Sequence, residues 1–584
     1  MNRAPLSLAP ARAHLRPHPT GGHVLTSAHP LPTPVDHLLL LLQRWAEQAP
    51  DRVFLAERPT LGAPDWRTVS FGASMDQVPR LAGGLRALGV SAERPLMLLS
   101  GNSIAQGLLL LAAMAAEAPA SPVSPAYSLM SRDHAKLRDV AAQLTPGAIY
   151  VEDPAPFAAA LDALALDVPV IARRRVGRAT HGLDELLGAA PFMGRPGPDM
   201  VAKILFTSGS TGRPKGVINT QRMLCSNQQA IATVWPFLAE RPPVIVDWLP
   251  WSHTFGGNHN FHLVLHNGGT LYIDGGKPAP GRFDETVRNL AEVASTLHFN
   301  VPRGYGLLVD ALEADDRLRD RFFSELDVLF YAAAALPQNL WDRLEALSLA
   351  ARGERVHMLS AWGSTETAPM ATTVHFPIDQ AGVLGLPAPG TEIRLVPTDD
   401  DRLELRVRGP NVTPGYWRSP ELTAAAFDDD GFFEMGDAGR LADPHDPAAG
   451  IVFAGRTAEN FKLTSGTWVL VGSLRVDLVA ACAPLVQDCV IAGHDRESLG
   501  LLVFPTPAGQ AAGREALRAK LQAFNADNPM NSRRIARALL LDTPPDIDAG
   551  EITDKGYLNQ RAVLANRAEA VATLFGDGDT PIRP

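Results

Sequence analysis

The chain has 584 residues, a formal net charge of -10 and 46% hydrophobic residues. That length exceeds what one hydrophobic core serves, so two or more domains are expected, and the acidic balance disfavours a nucleic-acid or anionic-membrane surface. The cysteines are three scattered residues, which fit neither a disulfide framework nor a zinc site and favour a reducing, cytoplasmic location. Seven lysines stand against 46 arginines, so a lysine in a glycine-rich loop is informative.

Residues 1–34 are predicted to be a flexible tail. They contain no acidic residue and seven prolines; their composition resembles a transit peptide, but no amphipathic period supports that alternative. The first helix is predicted at 35–48. The most apolar stretch, 108–116, is too short to cross a bilayer and is expected to be a buried helix, so no membrane span is predicted.

Short apolar runs then alternate with helical segments along the chain. A strand at 94–100 precedes a helix at 104–116, and further strands are predicted at 148–151, 201–206, 244–249, 270–273, 326–331 and 356–359. This alternation is typical of parallel sheets covered by helices. Because ligands bind at the carboxyl ends of such strands, functional residues are expected directly after these runs.

The pattern changes twice towards the C-terminus. Residues 392–396 and 403–407 alternate apolar and polar residues, as half-buried antiparallel strands do. Beyond 455 the chain has its own strands, at 486–492 and 499–504, and helices, at 513–524 and 532–540. The predicted fold is therefore α/β. Stacked, mostly parallel sheets and a small antiparallel or barrel-like portion form a large domain (35–455), and an α+β domain (456–584) follows.

The strongest motif is the run F-T-S-G-S-T-G-R-P-K-G at 206–216, which follows a predicted strand. Glycines let backbone N–H groups approach an anion, and hydroxyls and a lysine add donors, so the loop suits a polyphosphate. It is not a Walker A loop, which needs Gly-Lys followed by Ser or Thr. A flexible surface turn would explain the glycines and serines but not Lys215.

This run resembles the signature loop of the adenylate-forming superfamily, which comprises acyl-CoA synthetases, adenylation domains and luciferases. The resemblance implies that ATP or AMP contacts Thr207, Ser208, Gly209, Ser210, Thr211, Gly212 and Lys215. A second match is A-W-G-S-T-E-T at 361–367. It implies nucleotide contacts from Trp362, Gly363, Ser364 and Thr365, with Glu366 as ligand of Mg²⁺, a metal that prefers carboxylates combined with phosphate oxygens. Alone, Glu366 would read as a solvated loop acid.

Two more segments match the family in order. In Y-A-A-A-A-L-P, at 331–337, Ala333, Ala334 and Ala335 replace the usual glycines that pack on adenine; in isolation this segment would read as a helix start. In E-M-G-D, at 434–437, the resemblance assigns the ribose hydroxyls to Asp437, with Arg456 nearby, although Met435 departs from the usual Thr. A turn aspartate is the simpler alternative.

The acyl and thiol sides are also implied by resemblance. The segment W-L-P-W-S-H-T-F-G-G-N at 248–258 resembles a wall of the acyl pocket, with His253, Thr254, Phe255 and Trp362 as pocket residues, although His253 alone would read as a core histidine. Lys555, in G-E-I-T-D-K-G-Y, corresponds to the family's C-terminal lysine in atypical wording. The N-F-K-L-T-S-G-T-W-V segment at 460–469 would place Lys462, Ser465 and Gly466 on the CoA side of a small domain that rotates about 458–460.

The resemblance implies an ATP-dependent carboxylic acid:CoA ligase using ATP, Mg²⁺ and CoA, with Lys555, Lys215, Thr365 and Glu366 as catalytic residues. The sequences of segments 460–469 and 550–557 are most similar to those of the feruloyl-CoA synthetase branch. The aromatic residues near His253 favour ferulate or another hydroxycinnamate as the acid. Medium-chain or other fatty acids, a carrier-protein thiol as acceptor, and an inactive acyl-AMP-binding relative stay open. The sequence ends soon after Lys555, which favours free CoA. The oligomeric state, monomer or homodimer, is open.

Overall fold

The computed structural model describes residues 3–208, 213–279, 281–334, 336–398, 402–457, 459–553 and 558–584. In these ranges the strands up to residue 456 are β1 Ala13–Pro17, β2 His23–Ser27, β3 Val53–Glu57, β4 Arg67–Ser70, β5 Leu96–Leu98, β6 Ala120–Pro122, β7 Ala148–Val151, β8 Val170–Ala172, β9 His181–Gly182, β10 Val201–Ser208, β11 Pro214–Thr220, β12 Val244–Asp247, β13 Thr270–Ile273, β14 Leu297–Asn300, β15 Val328–Tyr331, β16 His357–Gly363, β17 Met370–Thr373, β18 Val383–Pro387, β19 Glu392–Pro397, β20 Leu403–Arg408, β21 Phe433–Leu441 and β22 Ile451–Arg456.

The α-helices of the same part are α1 Leu39–Gln48, α2 Phe71–Ala87, α3 Ile104–Ala115, α4 Ala126–Leu129, α5 Ala135–Leu144, α6 Ala158–Leu164, α7 Leu183–Leu187, α8 Gln221–Val234, α9 Phe261–Asn267, α10 Phe283–Glu292, α11 Pro302–Ala314, α12 Asp316–Phe323, α13 Gln338–Arg352 and α14 Pro420–Ala424. A π-helix, Phe255–Asn260, leads directly into α9, and 3-10 turns form at Pro236–Ala239, Thr365–Thr367 and Pro447–Ala449. The remaining elements are β23 Phe461–Lys462, β24 Trp468–Val469, α15 Val471–Ala481, β25 Val486–Ala492, β26 Leu499–Pro505, α16 Pro507–Asp527, β27 Ile535–Leu540, α17 Gln560–Asn566 and α18 Ala568–Phe575.

Three sheets build the large N-terminal part. Their strand orders are β11-β10-β6-β5-β7-β8-β9, β12-β13-β3-β4 and β1-β2-β19-β20-β21-β22-β18-β17-β16-β15-β14. The first two are mostly parallel, whereas the third joins the parallel strands β14–β16 to an antiparallel set. The mixed α/β prediction, with a large N-terminal and a small C-terminal domain, is confirmed, and β25, β26 and β27 form the small sheet with its own apolar core.

Helix α3 shows why the apolar run near 108 is a core helix. All but one of its residues are buried, because α2 and strands β3 and β6 pack around it. A Cβ on Gly107 would lie 2.8 Å from a Leu55 methyl and 3.3 Å from the Phe261 ring, so the helix lies close to its neighbours. No helix in the described part of the chain is long and apolar enough to span a bilayer.

Two predictions about elements are wrong. Residues 13–17 and 23–27 are not a flexible tail: β1 pairs with β2, and β2 pairs antiparallel with β19, which gives these residues a place in the largest sheet. The segment 532–540 is not a helix but contains β27, which pairs parallel with β26. Alanine, arginine and leucine favour helices locally, but tertiary pairing overrides that preference.

Candidate functional site

The motif at 206–216, predicted to bind a polyphosphate, lies in the β-hairpin formed by β10 and β11, which is called the anion hairpin below. Strands β10 and β11 are antiparallel, Thr207 pairs with Lys215 and Ser208 pairs with Pro214, so the lysine lies opposite the first hydroxyl residue of the motif. Both Thr207 and Lys215 are half-buried. The turn residues Gly209, Ser210, Thr211 and Gly212 lie outside the described residues. The strand predicted before the motif is confirmed, and it extends to Ser208.

Tyr416 connects this hairpin to Glu366. Its ring lies 5.3 Å from the Lys215 ammonium, and its hydroxyl donates a 3.1 Å hydrogen bond to Oε1 of Glu366. Burial, together with the charge of Glu366, raises the pKa of Tyr416, so the phenol stays a donor. Sequence reasoning missed Tyr416; the available signal is the Pro-Gly pair at 414–415 followed by two aromatic residues.

Main-chain hydrogen bonds fix Tyr416 beside the hairpin. The N–H of Ile218 donates to the carbonyl of Gly415 at 3.2 Å, and the N–H of Trp417 donates to the carbonyl of Gly216 at 2.7 Å. Strand β11 therefore contains Lys215 and is also hydrogen-bonded to the segment 415–417 that contains Tyr416.

The turn that carries Glu366 is strongly constrained. The Ser364 hydroxyl accepts from the N–H of Glu366 at 3.2 Å, and the N–H of Thr413 donates to the Glu366 carbonyl at 2.8 Å. Thr365, the first residue of this turn, is buried. A Cβ on Gly363 would lie 1.7 Å from the Pro369 carbonyl oxygen, so a residue without a side chain is required there. The predicted strand at 356–359 is present as β16 and ends at this turn.

Asp437 lies on the other side of the same turn. The indole N–H of Trp362 donates to Oδ2 of Asp437 at 2.7 Å, and Nε of Arg456 is 3.6 Å from Oδ1. Asp437 and Arg456 face each other across β21 and β22. Burial raises the pKa of Asp437, although Arg456 and Trp362 oppose the shift. The carboxylate is buried at its base and keeps 13% of its side-chain surface exposed.

These contacts form one continuous path. Residues 362–366 contact Asp437 through Trp362 and, through Tyr416, reach the hairpin that carries Lys215. The polyphosphate and ribose residues predicted from separate motifs are therefore neighbours around one turn. Both ends of the path begin at the same five residues, 362–366, so the predicted polyphosphate and ribose residues border one segment of the chain.

The alanine segment predicted to face adenine follows β15. Ala333 and Ala334 are exposed, and Ala333 has φ +73°, the left-handed region that favours glycine. Ala335 lies outside the described residues. The segment is not the start of a helix: α13 begins later, at Gln338.

The expected acyl wall is the start of the π-helix. Thr254 is buried, His253 and Phe255 are half-buried, and the Phe255 ring lies 5.8 Å from Phe330, at the end of β15. Trp251 is fully buried and packs 4.7 Å from Phe261, so it belongs to the core and not to a pocket. Trp362 is directed by its indole N–H to Asp437.

The residues expected on the CoA side form a short hairpin. Strand β23 carries Lys462, whose ammonium lies 4.9 Å from the Trp468 ring, and the exposed turn contains Ser465 and Gly466, the latter at φ +80°. The guanidinium of Arg402, in the large domain, lies 5.4 Å from the same Trp468 ring. Lys555 and Ala458, the first residue of the expected hinge, lie outside the described residues.

A second contact between the domains lies beside α5. The Asp548 carboxylate accepts from the Ser131 hydroxyl at 2.7 Å and from the N–H of Arg132 at 3.0 Å, and Lys136 donates to the Ile547 carbonyl. At the other end of α5, Gln143 donates to the carbonyl of Pro214, in the anion hairpin, at 3.1 Å. The small domain thus docks on the helix that borders the hairpin.

The fold is that of adenylate-forming enzymes. The solved structures it resembles include ATP-bound MatB from Rhodopseudomonas palustris (TM-score 0.70, 22% identity, 91% of this chain and 99% of that one). They also include the adenylation domain of carboxylic acid reductase from Segniliparus rugosus in complex with AMP (TM-score 0.70, 20% identity, 92% and 94%). At these identities the likeness concerns the fold.

The chain belongs to the AMP-binding enzyme family: that family's model matches residues 42–417, more than half of the chain, and the model of the AMP-binding enzyme C-terminal domain matches 473–578. Similar curated proteins include a probable CoA ligase, CCL8, from Humulus lupulus, 28% identical over 54% of this chain and 53% of that protein. Indoleacetate–CoA ligase from Aromatoleum aromaticum is 29% identical over 64% and 71%. The matched region spans about half the length of CCL8 and 35% of the carboxylic acid reductase from Segniliparus rugosus.

Proposed function

We propose that this chain is an ATP-dependent carboxylic acid:CoA ligase that forms an acyl-AMP and pyrophosphate, then an acyl-CoA. The observation that carries the proposal is the path from Lys215 through Tyr416 and Glu366 to Trp362 and Asp437. A lysine and hydroxyls suit a polyphosphate, and a carboxylate with an indole partner suits ribose hydroxyls. CoA ligases among the similar proteins support a thiol acceptor.

The first step needs positioning and charge neutralisation more than covalent help. A carboxylate oxygen of the acid attacks the α-phosphorus of ATP, the bond to the β-phosphate oxygen breaks, and pyrophosphate leaves with that electron pair. Lys215 and the hydroxyl residues of the hairpin, Thr207 to Thr211, bind the departing charge. Thr365 and Tyr416 hold the turn that carries Glu366, and Asp437 holds the ribose.

Glu366 fits the role of a Mg²⁺ ligand. One of its oxygens already accepts from Tyr416, which fixes the carboxylate at the turn between the hairpin and Asp437. Mg²⁺ commonly binds proteins through one or two carboxylates and takes its other ligands from phosphates and water. Such an ion would neutralise phosphate charge, and removing it with EDTA should stop pyrophosphate release.

We assign Lys555 to the carboxylate–phosphate junction during the first step. Ile547 and Asp548 of the small domain dock at the start of α5, and Gln143 near the far end of α5 contacts the anion hairpin. Lys555 follows Gly550 by five positions, a stretch that spans at most about 17 Å even when fully extended. In the second step the CoA thiolate attacks the acyl carbonyl and AMP leaves, with Lys462, Ser465 and Gly466 on the thiol side after the domain rotates.

The half-reactions separate this proposal from its alternatives. Lys555→Ala should abolish acid-dependent ATP–pyrophosphate exchange while acyl-CoA still forms from supplied acyl-AMP. The matched control is Lys520→Ala, at an exposed small-domain lysine, which should affect neither step. Equal loss of both steps would contradict the assignment of Lys555. A wild-type enzyme that binds acyl-AMP but releases no AMP with CoA would be a binding protein.

For the acid we propose an aromatic carboxylate such as ferulate or another hydroxycinnamate. Phe255, two positions after His253, is half-buried and packs against the core residues Phe299 and Phe330, and one similar protein is an indoleacetate–CoA ligase. Long-chain-fatty-acid–CoA ligases are also among the similar proteins, so fatty acids are the competing class. Pyrophosphate release should be faster with ferulate and coumarate than with benzoate or octanoate; faster turnover of octanoate would reverse the assignment.

A further inference from the structure

Lys203 is a buried lysine on β10 that none of the motifs uses. It has no exposed surface, and among the described residues it forms no ion pair with a carboxylate. Its ammonium donates to the Gly257 carbonyl at 2.8 Å and to Oδ1 of Asn258 at 3.3 Å. Burial lowers the pKa of Lys203 to about 7, because a charge is disfavoured away from water.

Both acceptors of Lys203 belong to the π-helix Phe255–Asn260. Helices of this type are rare and are frequently found at functional sites. From α8, Gln228 donates to the Asn258 carbonyl at 2.9 Å and to the His259 carbonyl at 3.2 Å. The carbonyls of three successive residues, 257–259, thus accept hydrogen bonds from side chains of neighbouring elements.

The same network reaches the predicted acyl wall. The Asn258 amide donates to the Thr254 hydroxyl at 3.1 Å and to Oδ1 of Asn219, on β11. On the opposite side the helix is clamped by backbone: a Cβ on Gly256 would lie 2.3 Å from the Leu249 carbonyl oxygen, and one on Gly257 would lie 2.3 Å from that of Trp251.

Lys203 therefore joins two functional segments. Its strand, β10, continues four residues further to Thr207 in the anion hairpin, and its ammonium fixes the helix that begins directly after His253 and Thr254. A displacement of this helix would move the acyl wall relative to the polyphosphate residues. Such a displacement would misalign the acid's carboxylate with the phosphorus that it attacks.

We propose that Lys203 is a positioning residue that fixes the position of the acyl wall at 253–255 relative to the anion hairpin. The proposal rests on the function proposed above. Lys203 acts through the helix and contacts neither substrate. Its hydrogen bonds to Gly257 and Asn258 hold the helix in position, and Gln228 of α8 donates to the carbonyls of Asn258 and His259 in the same helix.

The test compares Lys203→Met with Ile204→Val. Methionine keeps most of the volume and removes the donor, and Ile204, the next residue of the same strand, lies in a different apolar cluster from the one around the π-helix. Lys203→Met should raise the KM for the acid about tenfold, with the KM for ATP changed less than about twofold. Amide hydrogen exchange of the ligand-free protein should become faster within 253–260. Ile204→Val should change neither the KM for the acid nor the amide exchange within 253–260.

The outcomes distinguish a failure of the role proposed for Lys203 from a failure of the proposed ligase function. Equal changes in both KM values, or unchanged exchange at 253–260, would make Lys203 an ordinary core residue and overturn the inference. If Lys203→Met does not fold, Gln228→Met removes the other donor to this helix and must give the same acid-specific KM change and faster exchange. A wild-type protein that shows no acid-dependent pyrophosphate release would contradict the proposed function. The hydrogen-exchange measurement would still show whether Lys203 holds the helix at 253–260 in place.

Discussion

At the scale of single residues, Trp362 and Tyr416 determine how the motifs cooperate. Trp362 is part of a recognised motif, but its role as the hydrogen-bond donor to Asp437 follows from the fold. Tyr416 belongs to none of the predicted motifs and nevertheless links Glu366 to the hairpin. Both residues hold carboxylates in place, and their removal should have separable effects.

Trp362→Phe should raise the KM for ATP. The change keeps an aromatic ring but removes a donor to a buried carboxylate, and hydrogen bonds to charged groups contribute about 1.5–3 kcal/mol, which corresponds to roughly tenfold or more in affinity. Initial-rate kinetics with varied ATP and varied CoA provide the measurement. Trp66→Phe is the control, because that indole donates to Glu292 in another part of the molecule. An unchanged KM for ATP would mean that Asp437 does not bind the nucleotide.

Sequence reasoning identified side chains better than it identified their partners. Lys215, Glu366 and Asp437 were predicted because each lies in a motif whose chemistry needs a charge, and their roles stay predictions. The hydrogen bonds of Trp362 and Tyr416 were not found, since they join residues 50 to 75 positions apart in the chain. Such contacts depend on how β16, β21 and the segment after β20 meet, which local pattern does not encode.

At the scale of elements, the buried strands were the most predictable. The predicted bounds of β7, β13 and β25 agree with the structure, because short apolar runs ended by turn residues have few alternatives. The π-helix and the strand β27 were not predictable, since one depends on side-chain donors from other elements and the other on pairing with β26. The boundary near Gly455 stays a prediction.

Gly257→Ala tests the close packing of the π-helix. A methyl group there would lie 2.3 Å from the Trp251 carbonyl oxygen, and overpacking of this kind costs about 1–3 kcal/mol. Urea denaturation should show a lower free energy of unfolding for this variant. Gly306→Ala is the matched control: in α11 the nearest atom to the new methyl is 4.0 Å away, and alanine should stabilise the helix by about 1 kcal/mol. Similar destabilisation in both variants would contradict the clamp.

At the scale of the whole molecule, buried histidines make folding sensitive to acid. Burial lowers the pKa of His298 to about 3 and those of His259, His266 and His375 to about 4. In the unfolded chain each binds a proton near the ordinary value of 6.5, so the unfolded state gains protons first and stability is lost as the pH falls below about 6.5. Burial raises the pKa of Asp247 to about 7 and also raises those of Asp274 and Asp437, and these carboxyl groups act in the opposite direction.

His298→Leu should therefore reduce the acid sensitivity. Between about pH 7.5 and pH 5, one such histidine accounts for about 2 kcal/mol of lost stability. Urea denaturation at both pH values should show a loss smaller by roughly that amount in the variant, whatever its stability at neutral pH. His14→Leu, at an exposed position, should retain the wild-type loss. Parallel pH profiles for wild type and His298→Leu would show that this residue does not contribute.

The docking of Asp548 on α5 predicts an effect confined to one half-reaction. Burial alone would raise the pKa of Asp548, but donors from Arg132 and Ser131 and the charge of Lys136 outweigh it and lower the pKa, so the contact is charged. Asp548→Ala should slow ATP–pyrophosphate exchange about tenfold, because charge-assisted hydrogen bonds of this kind contribute more than about 1.4 kcal/mol. Thioester formation from supplied acyl-AMP should change less than about twofold.

The control for this experiment is Asp577→Ala, which removes an exposed carboxylate of the same domain away from α5. It should leave both half-reactions unchanged. An Asp548→Ala enzyme that loses both half-reactions equally would indicate that the contact stabilises the domain itself and does not select one step.

The N-terminal hairpin has a consequence for the border of the largest sheet. Strand β2 covers the backbone of β19, and Arg16 pairs with Glu392 at 2.8 Å across that junction. A chain shortened to begin at residue 31 would leave the N–H and C=O groups of β19 without partners, and uncovered borders of this kind recruit other chains. Such a shortened protein should self-associate with rising concentration in light scattering even though every predicted nucleotide-site residue is retained.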